Sequence, residues 1–237
     1  MTGKLEVLAD PPALARHVAD WFTTLAVAHA GPMRIALSGG STPKALFELL
    51  ATEQYVRQMP WRRLHFFWGD ERFVPHDDPD SNYRMARDAM LEKVPVPPGN
   101  VHPIPTDGLP ADAARRYERT LKAAYGAETL DPARPLFDLN FLGLGEDGHT
   151  ASLIPGQPVL EERTRWVAQV PHGRSEVRIT LTYPALESSA IVAFLVAGGG
   201  KAGILKRVLE GADVPAGRVR PQGSLIWFAD RAAAGET

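Results

Sequence analysis

The sequence predicts an α/β fold, with a mostly parallel sheet covered by helices on both faces in a single domain spanning residues 1–237. Three observations carry this. Short apolar runs of strand length alternate with helix-period segments along most of the chain. Four of those runs end alike, in glycine followed by a polar or charged group: SGGST at Ser38, GDER at Gly69, GLGEDGH at Gly143 and AGGGK at Ala197. And no polar linker is long enough to divide the chain. The proline-rich stretch 94–110 is the only candidate divider, and Val101-His102-Pro103-Ile104 inside it reads as a connecting strand within one unit.

Taken in order, Lys4–Leu8 is an expected edge strand, and Pro11 and Pro12 then start a helix with apolar Leu14, Val18, Phe22 and Leu25 that Gly31 stops. Met33–Leu37 is a second strand; Thr42 is the expected N-cap and Pro43 the first residue of a helix running on to Leu50. Leu64–Trp68 is a third strand, followed by GDER and a polar loop to Asn82, with 83–91 and 111–125 helical. Phe137, Leu139, Phe141 and Leu142 mark a central strand; further strands are expected at 166–170, 177–181, Ile191–Val196 and 224–228. A helix follows Lys201 as far as Leu209, and a short helix closes the chain. No internal repeat is found.

Composition excludes several functions. A net charge of −2 without a basic run argues against nucleic-acid binding. The absence of cysteine excludes disulfides, thiolate metal sites and a cysteine nucleophile. The N-terminus lacks an apolar signal core, and the longest apolar stretch, 190–197, is far short of the roughly 20 residues a bilayer span needs. A soluble, cytoplasmic protein, not bound to a membrane, is expected.

The stretch 137–156 is the most informative: a buried strand breaks into a turn carrying Glu146, Asp147 and His149, with Gly143, Gly145 and Gly148 permitting positive φ and close approach of a ligand. Ligands of open α/β sheets bind beyond the strand carboxyl ends, which suits a catalytic loop. A plain capped turn at Asp147-Gly148, with His149-Thr150 opening a helix, is the alternative. Ser38, Gly39, Gly40, Ser41 and Thr42 offer N–H groups, hydroxyls and a helix N-terminus to a phosphate, or else simply cap that helix. Arg72 is a candidate phosphate clamp or an ion-pair partner of Asp77, Asp78 or Asp80. Lys201, after three glycines at a helix start, opposes the helix dipole and calls for a nearby anion, unless it is simply solvated. His149 is the candidate general base. The seven histidines are scattered and none forms a His-x-x-x-His pair, so no metal is expected.

With these residues in view the chain resembles the 6-phosphogluconolactonases. The motifs are LSGGSTP at Leu37, WGDER at Trp68, DSNYRMARDAML at Asp80, LGLGEDGHTASLIPG at Leu142, RITLTYPAL at Arg178, GGGKA at Gly198 and RVRPQGSLIWFAD at Arg218. The resemblance implies a single Rossmann-like domain and hydrolysis of 6-phospho-D-glucono-1,5-lactone to 6-phospho-D-gluconate without a metal or other cofactor. His149 would be the base, oriented by Asp70 or Asp147. Arg72, Lys201 and the Ser38–Thr42 segment would hold the phosphate, with Arg178 a further candidate. A monomer is expected. The related glucosamine-6-phosphate deaminases continue the histidine loop with a segment containing glutamate, where this chain has Thr150-Ala151-Ser152-Leu153. Ile154, in place of a usual phenylalanine, and Glu187, where asparagine is common, depart from the family pattern. The alternatives are a sugar-phosphate isomerase or deaminase of the same fold, and a non-catalytic phosphosugar sensor.

Overall fold

Two sheets share the chain in this computed structural model, which describes residues 3–172 and 174–236. The elements run β1 (Lys4–Leu8), α1 (Pro11–Ala28), β2 (Met33–Leu37), α2 (Ser41–Leu50), α3 (Glu53–Gln58), β3 (Leu64–Trp68), β4 (Asp70–Arg72) and α4 (Asn82–Ala86). After a π-helical turn at Arg87–Leu91 come α5 (Pro110–Tyr125), β5 (Leu139–Gly143), β6 (Val167–Val170), β7 (Arg178–Leu181), α6 (Tyr183–Glu187) and β8 (Ile191–Val196). The chain ends with α7 (Ala202–Leu209), α8 (Pro215–Arg218), β9 (Ser224–Asp230) and α9 (Arg231–Ala234).

The main sheet has six strands in the order β1-β9-β8-β5-β2-β3, every pair parallel, with β1 at the edge as expected. Its strands are apolar on both faces because helices cover both. On one side Phe22 of α1 meets Phe141 edge-on, and Trp21 packs against Phe228. On the other, the stacked Phe194–Trp227 pair lies near α7 and α8. One contiguous apolar core runs beneath both sheets.

The expected strands at 166–170 and 177–181 do form, but not in that sheet. β6 and β7 pair antiparallel with each other, and β7 pairs antiparallel with β4, giving a second, three-stranded sheet. GDER, expected only as the polar end of the third strand, is therefore a glycine and a strand of its own. Gly69 joins the layers: its N–H donates to Leu37 O at the end of β2, and its carbonyl accepts from Leu181 N in β7.

Three local expectations are corrected. The helix after β2 begins at Ser41, with Gly40 as N-cap at φ 107° and ψ 170°, so Thr42 does not cap it and Pro43 is its third residue. That backbone state favours glycine, and Pro43 still falls in the first turn, where an N–H has no intrahelical acceptor. The 83–91 helix starts at Asn82 and widens into the π turn. Phe137 precedes β5, meeting Ser189 in an isolated bridge. Among the described residues no helix is long and apolar enough to cross a membrane.

Candidate active site

Adjacent strands β2 and β5 form the point where the sheet's connections diverge: the chain leaves β2 toward β3 on one side and β5 toward β8 on the other. Such a divergence leaves a crevice beyond the strand carboxyl ends. Here it is a cleft of about 200 Å³ lined by Ser38, Gly39, Gly40, Asp70, Arg72, Asn82, Gly143, Leu144, Gly145, His149, Ala151, Arg178 and Lys201. All four glycine-ended strands contribute to it. A larger cavity, about 480 Å³, includes Pro158, Arg163 and His172 in its lining and is reached by none of these strand ends.

His149 lines this cleft. It opens no helix; the 143–149 turn closes on itself through Gly145 N to His149 O (2.8 Å) and Gly148 N to Gly145 O (2.9 Å). Of the three glycines in the turn, only Gly148 has positive φ, at 86°. Gly145 serves by close approach: a Cβ there would stand 1.9 Å from His149 Nδ1. The imidazole Nδ1 lies 2.5 Å from Asp147 Oδ1, which also accepts the His149 backbone N–H at 3.0 Å. A ring nitrogen that close to a carboxylate oxygen must carry the proton between them, which leaves Nε2 as the unprotonated nitrogen of the neutral ring. Arg174 Nη2 donates to Asp147 Oδ2 at 2.7 Å. Burial opposes ionisation of Asp147, but the hydrogen bonds from Arg174 and from the His149 backbone and ring outweigh it and hold the carboxyl well below the usual range.

Asp70 lies in the same cleft but is turned elsewhere. Its Oδ2 accepts from the buried Ser152 hydroxyl at 2.5 Å, and Asn82 Nδ2 donates to its backbone carbonyl. Asp147 is thus the carboxylate in contact with the imidazole.

The cleft lining also holds three cations. Arg72 and Arg178 face each other across the β4–β7 ladder. Arg72 forms no ion pair with Asp77, Asp78 or Asp80 among the described residues; its Nη1 donates to the Asp80 backbone carbonyl. Arg178 reaches Glu176 at 3.3 Å. Each arginine keeps a buried Nε without a protein acceptor. Burial pushes the Arg178 guanidinium down, aided by the Arg72 charge and opposed by Asp70 and Glu176. Lys201, beyond β8, lines the cleft too, with no ion pair to its ammonium among the described residues. Asp230 fixes the preceding turn by accepting Gly198 N–H at 3.0 and 3.1 Å.

Ser38, Gly39 and Gly40 line the cleft, whereas Ser41 and Thr42, in the first turn of α2, are not among its lining residues. The sequence reading passed over Asn82, Glu71, Ser152 and Arg174. Glu71 is wholly buried and accepts N–H bonds from Arg72, Asn82 and Tyr83 and the Ser81 hydroxyl, tying the start of α4 to β4. Burial raises its pKa against the pull of those backbone bonds. The DSNYR motif that supplies Asn82 was visible, but its contact with GDER was not. Ile154 and Glu187 lie outside the cleft lining, Glu187 accepting Arg220 N–H at 2.9 Å.

The class defined by this arrangement is a parallel α/β protein whose switch-point crevice carries a histidine–carboxylate pair and three cations, Arg72, Arg178 and Lys201. The chain belongs to the family of glucosamine-6-phosphate isomerases/6-phosphogluconolactonase, whose profile matches residues 9–227. It is 41% identical over 245 residues to the 6-phosphogluconolactonase of Nostoc sp., covering 100% of this chain and 99% of that protein. To the 6-phosphogluconolactonase of Synechocystis sp. it is 43% identical over 241 residues, covering 98% of each. Among solved structures, the 6-phosphogluconolactonase of Thermotoga maritima superposes with a TM-score of 0.82 at 30% identity, covering 96% of this chain and 99% of that one.

Proposed function

We propose that this protein hydrolyses 6-phospho-D-glucono-1,5-lactone to 6-phospho-D-gluconate, a step of the oxidative pentose phosphate pathway, with His149 as general base. The observation that carries this reading is the shared cleft, lined both by His149 of the histidine–carboxylate pair and by the Arg72, Arg178 and Lys201 cations. The similarity to the Nostoc and Synechocystis lactonases, which spans nearly the whole of both chains, supports the substrate.

In this mechanism the phosphate lies against Arg72, Arg178 and Lys201, and the lactone carbonyl lies toward His149. Nε2 takes a proton from water as its oxygen attacks the carbonyl carbon. Asp147, bonded to Nδ1, stabilises the imidazolium that results. The tetrahedral oxyanion then collapses, the bond to the ring oxygen breaks, and the imidazolium returns the proton to that departing oxygen. The product is the open hydroxy acid, whose carboxylic acid group then releases its proton to solvent to give the carboxylate. Backbone N–H groups of the Gly39-Gly40 and 143–145 turns are the proposed oxyanion donors. Asp70, held by Ser152, is proposed to accept a sugar hydroxyl and fix the ring.

No metal or other cofactor has a part in these steps. Action as a monomer is part of the same proposal. A cytoplasmic setting belongs to the same proposal, because a phosphorylated lactone is a charged metabolite that does not pass a bilayer unaided.

The test is lactone hydrolysis followed by proton release, corrected by an enzyme-free blank for spontaneous opening. A rate indistinguishable from the blank sinks the proposal, and assays for sugar-phosphate isomerisation and deamination then separate the remaining readings. A solved glucosamine-6-phosphate deaminase at 20% identity and TM-score 0.81 shares the fold only.

A further inference from the structure

Arg174 lies on the connection between β6 and β7, outside every motif that marks the site in the sequence. Its Nη2 stands 2.7 Å from Asp147 Oδ2 and 3.1 Å from His149 Nδ1. A guanidinium only donates, and Nδ1 already shares a proton with Asp147 Oδ1, so the second approach is not a hydrogen bond. It is a cation held against the nitrogen that would carry positive charge were the ring protonated.

We propose that Arg174 is the positioning residue of the His149 base: it clamps the Asp147 carboxylate and keeps the imidazole neutral, with Nε2 available to the cleft. This inference rests on the reading of His149 as a base.

The other charged groups around the ring do not duplicate this arrangement. Asp70 and Arg72 on β4, Arg178 on β7 and Lys201 beyond β8 share the cleft lining but make no hydrogen bond to the imidazole. Glu146, on the same turn as His149, faces Gly200, and Asp213 and Arg218, beside the α8 segment that packs on Gly148, pair with each other. Asp147 and Arg174 are the two charged residues at hydrogen-bond distance among the described residues. They act in opposite senses on the ring: the carboxylate favours the imidazolium, and the guanidinium disfavours it while drawing on the charge of the same carboxylate. A base needs both influences. Asp147 alone would orient the ring and also favour its protonated form, which cannot accept a proton from water.

The sign of the experiment follows. In Arg174→Gln the repelling cation is gone and Asp147 is released to the ring, and both changes favour the imidazolium. The acid limb of kcat/KM should move to higher pH by roughly half a unit to one unit, the modest size reflecting solvent screening of a partly exposed pair. The plateau on the alkaline side should stay within a few-fold of wild type, with KM little changed. Arg174→Lys, which restores a cation, should return the limb most of the way. The His149 imidazole, assigned in NMR spectra by its loss in His149→Gln, should titrate with the same upward shift in Arg174→Gln.

An imidazole titration and a rate limb both unmoved in Arg174→Gln overturn the inference. A uniform loss of rate at every pH with a lowered thermal midpoint also overturns it, since that marks a residue needed only for the fold of the loop. An imidazole that shifts while the rate limb does not follow upholds the Arg174 contact and overturns His149 as the base.

Discussion

Arg72 and Arg178 are direct cross-strand partners in the β4–β7 pair, and each buries an Nε that no protein acceptor meets. Like charges placed opposite each other weaken a sheet, and an unpaired buried donor costs more again. The arrangement is unfavourable in the free protein, and the phosphate that the proposed function places against the two guanidinium groups would offset that cost.

Replacing either arginine should therefore separate stability from function. Arg178→Gln should leave the free protein as stable as wild type or slightly more so, while abolishing most of the thermal stabilisation given by 6-phosphogluconate. A charge-assisted hydrogen bond contributes about 1.5–3 kcal/mol, so kcat/KM for the phosphorylated lactone should fall by about one to two powers of ten. Unphosphorylated gluconolactone should be affected far less. Equal losses on both substrates would remove Arg178 from the phosphate site.

His149→Ala should lower turnover by about 10²–10⁴-fold, the usual worth of general-base catalysis. Binding of the product, measured by calorimetry, should persist, because the cations proposed to hold the phosphate are left in place. Near wild-type turnover would remove His149 from the mechanism.

Gly145→Ala tests the seat of the imidazole. The backbone at Gly145 is not in the positive-φ region, so alanine is tolerated there conformationally, yet its Cβ would fall 1.9 Å from His149 Nδ1. The ring must move, and misplacement of a reacting group by about 1 Å can cost about 10²-fold in rate. Since the damage passes through His149, the double variant with His149→Ala should be no slower than His149→Ala alone. Additive losses would show that Gly145 acts elsewhere.

Asp147 carries a pH signature. Its folded pKa is depressed, so its ionised form stabilises the fold fully above the unfolded value of about 3.9, and that stability is lost as pH falls through the folded value. The carboxylate is 39% exposed, so solvent screening keeps the effect small. Thermal midpoints of wild type and Asp147→Asn should converge as pH is lowered from about 5 toward 2. A gap that stays constant over that range would show that Asp147 contributes through shape and not charge.

The parallel sheet and the cleft's four corners were legible because apolar runs ending in glycine are local signals, and a parallel sheet gathers strand ends at one edge. The second sheet was not. Its strands looked like the others in sequence, and GDER is too short to show strand periodicity; only pairing with β7 makes it one. Arg174 escaped for the same reason: nothing in HGRS signals a contact with Asp147, which exists because the β6–β7 connection folds over the histidine turn. Ser41 and Thr42 read as phosphate ligands because hydroxyls beside a helix start suit one. Gly40, by taking the cap, places them in the helix's first turn, outside the cleft lining.

Gly69 donates to Leu37 at the end of β2 and accepts from Leu181 in β7, so one residue belongs to both hydrogen-bond systems. The guanidinium pair rides on the small sheet and the histidine turn leaves the large one, so these two groups of cleft residues are joined through a single shared peptide as well as through the apolar core beneath both sheets.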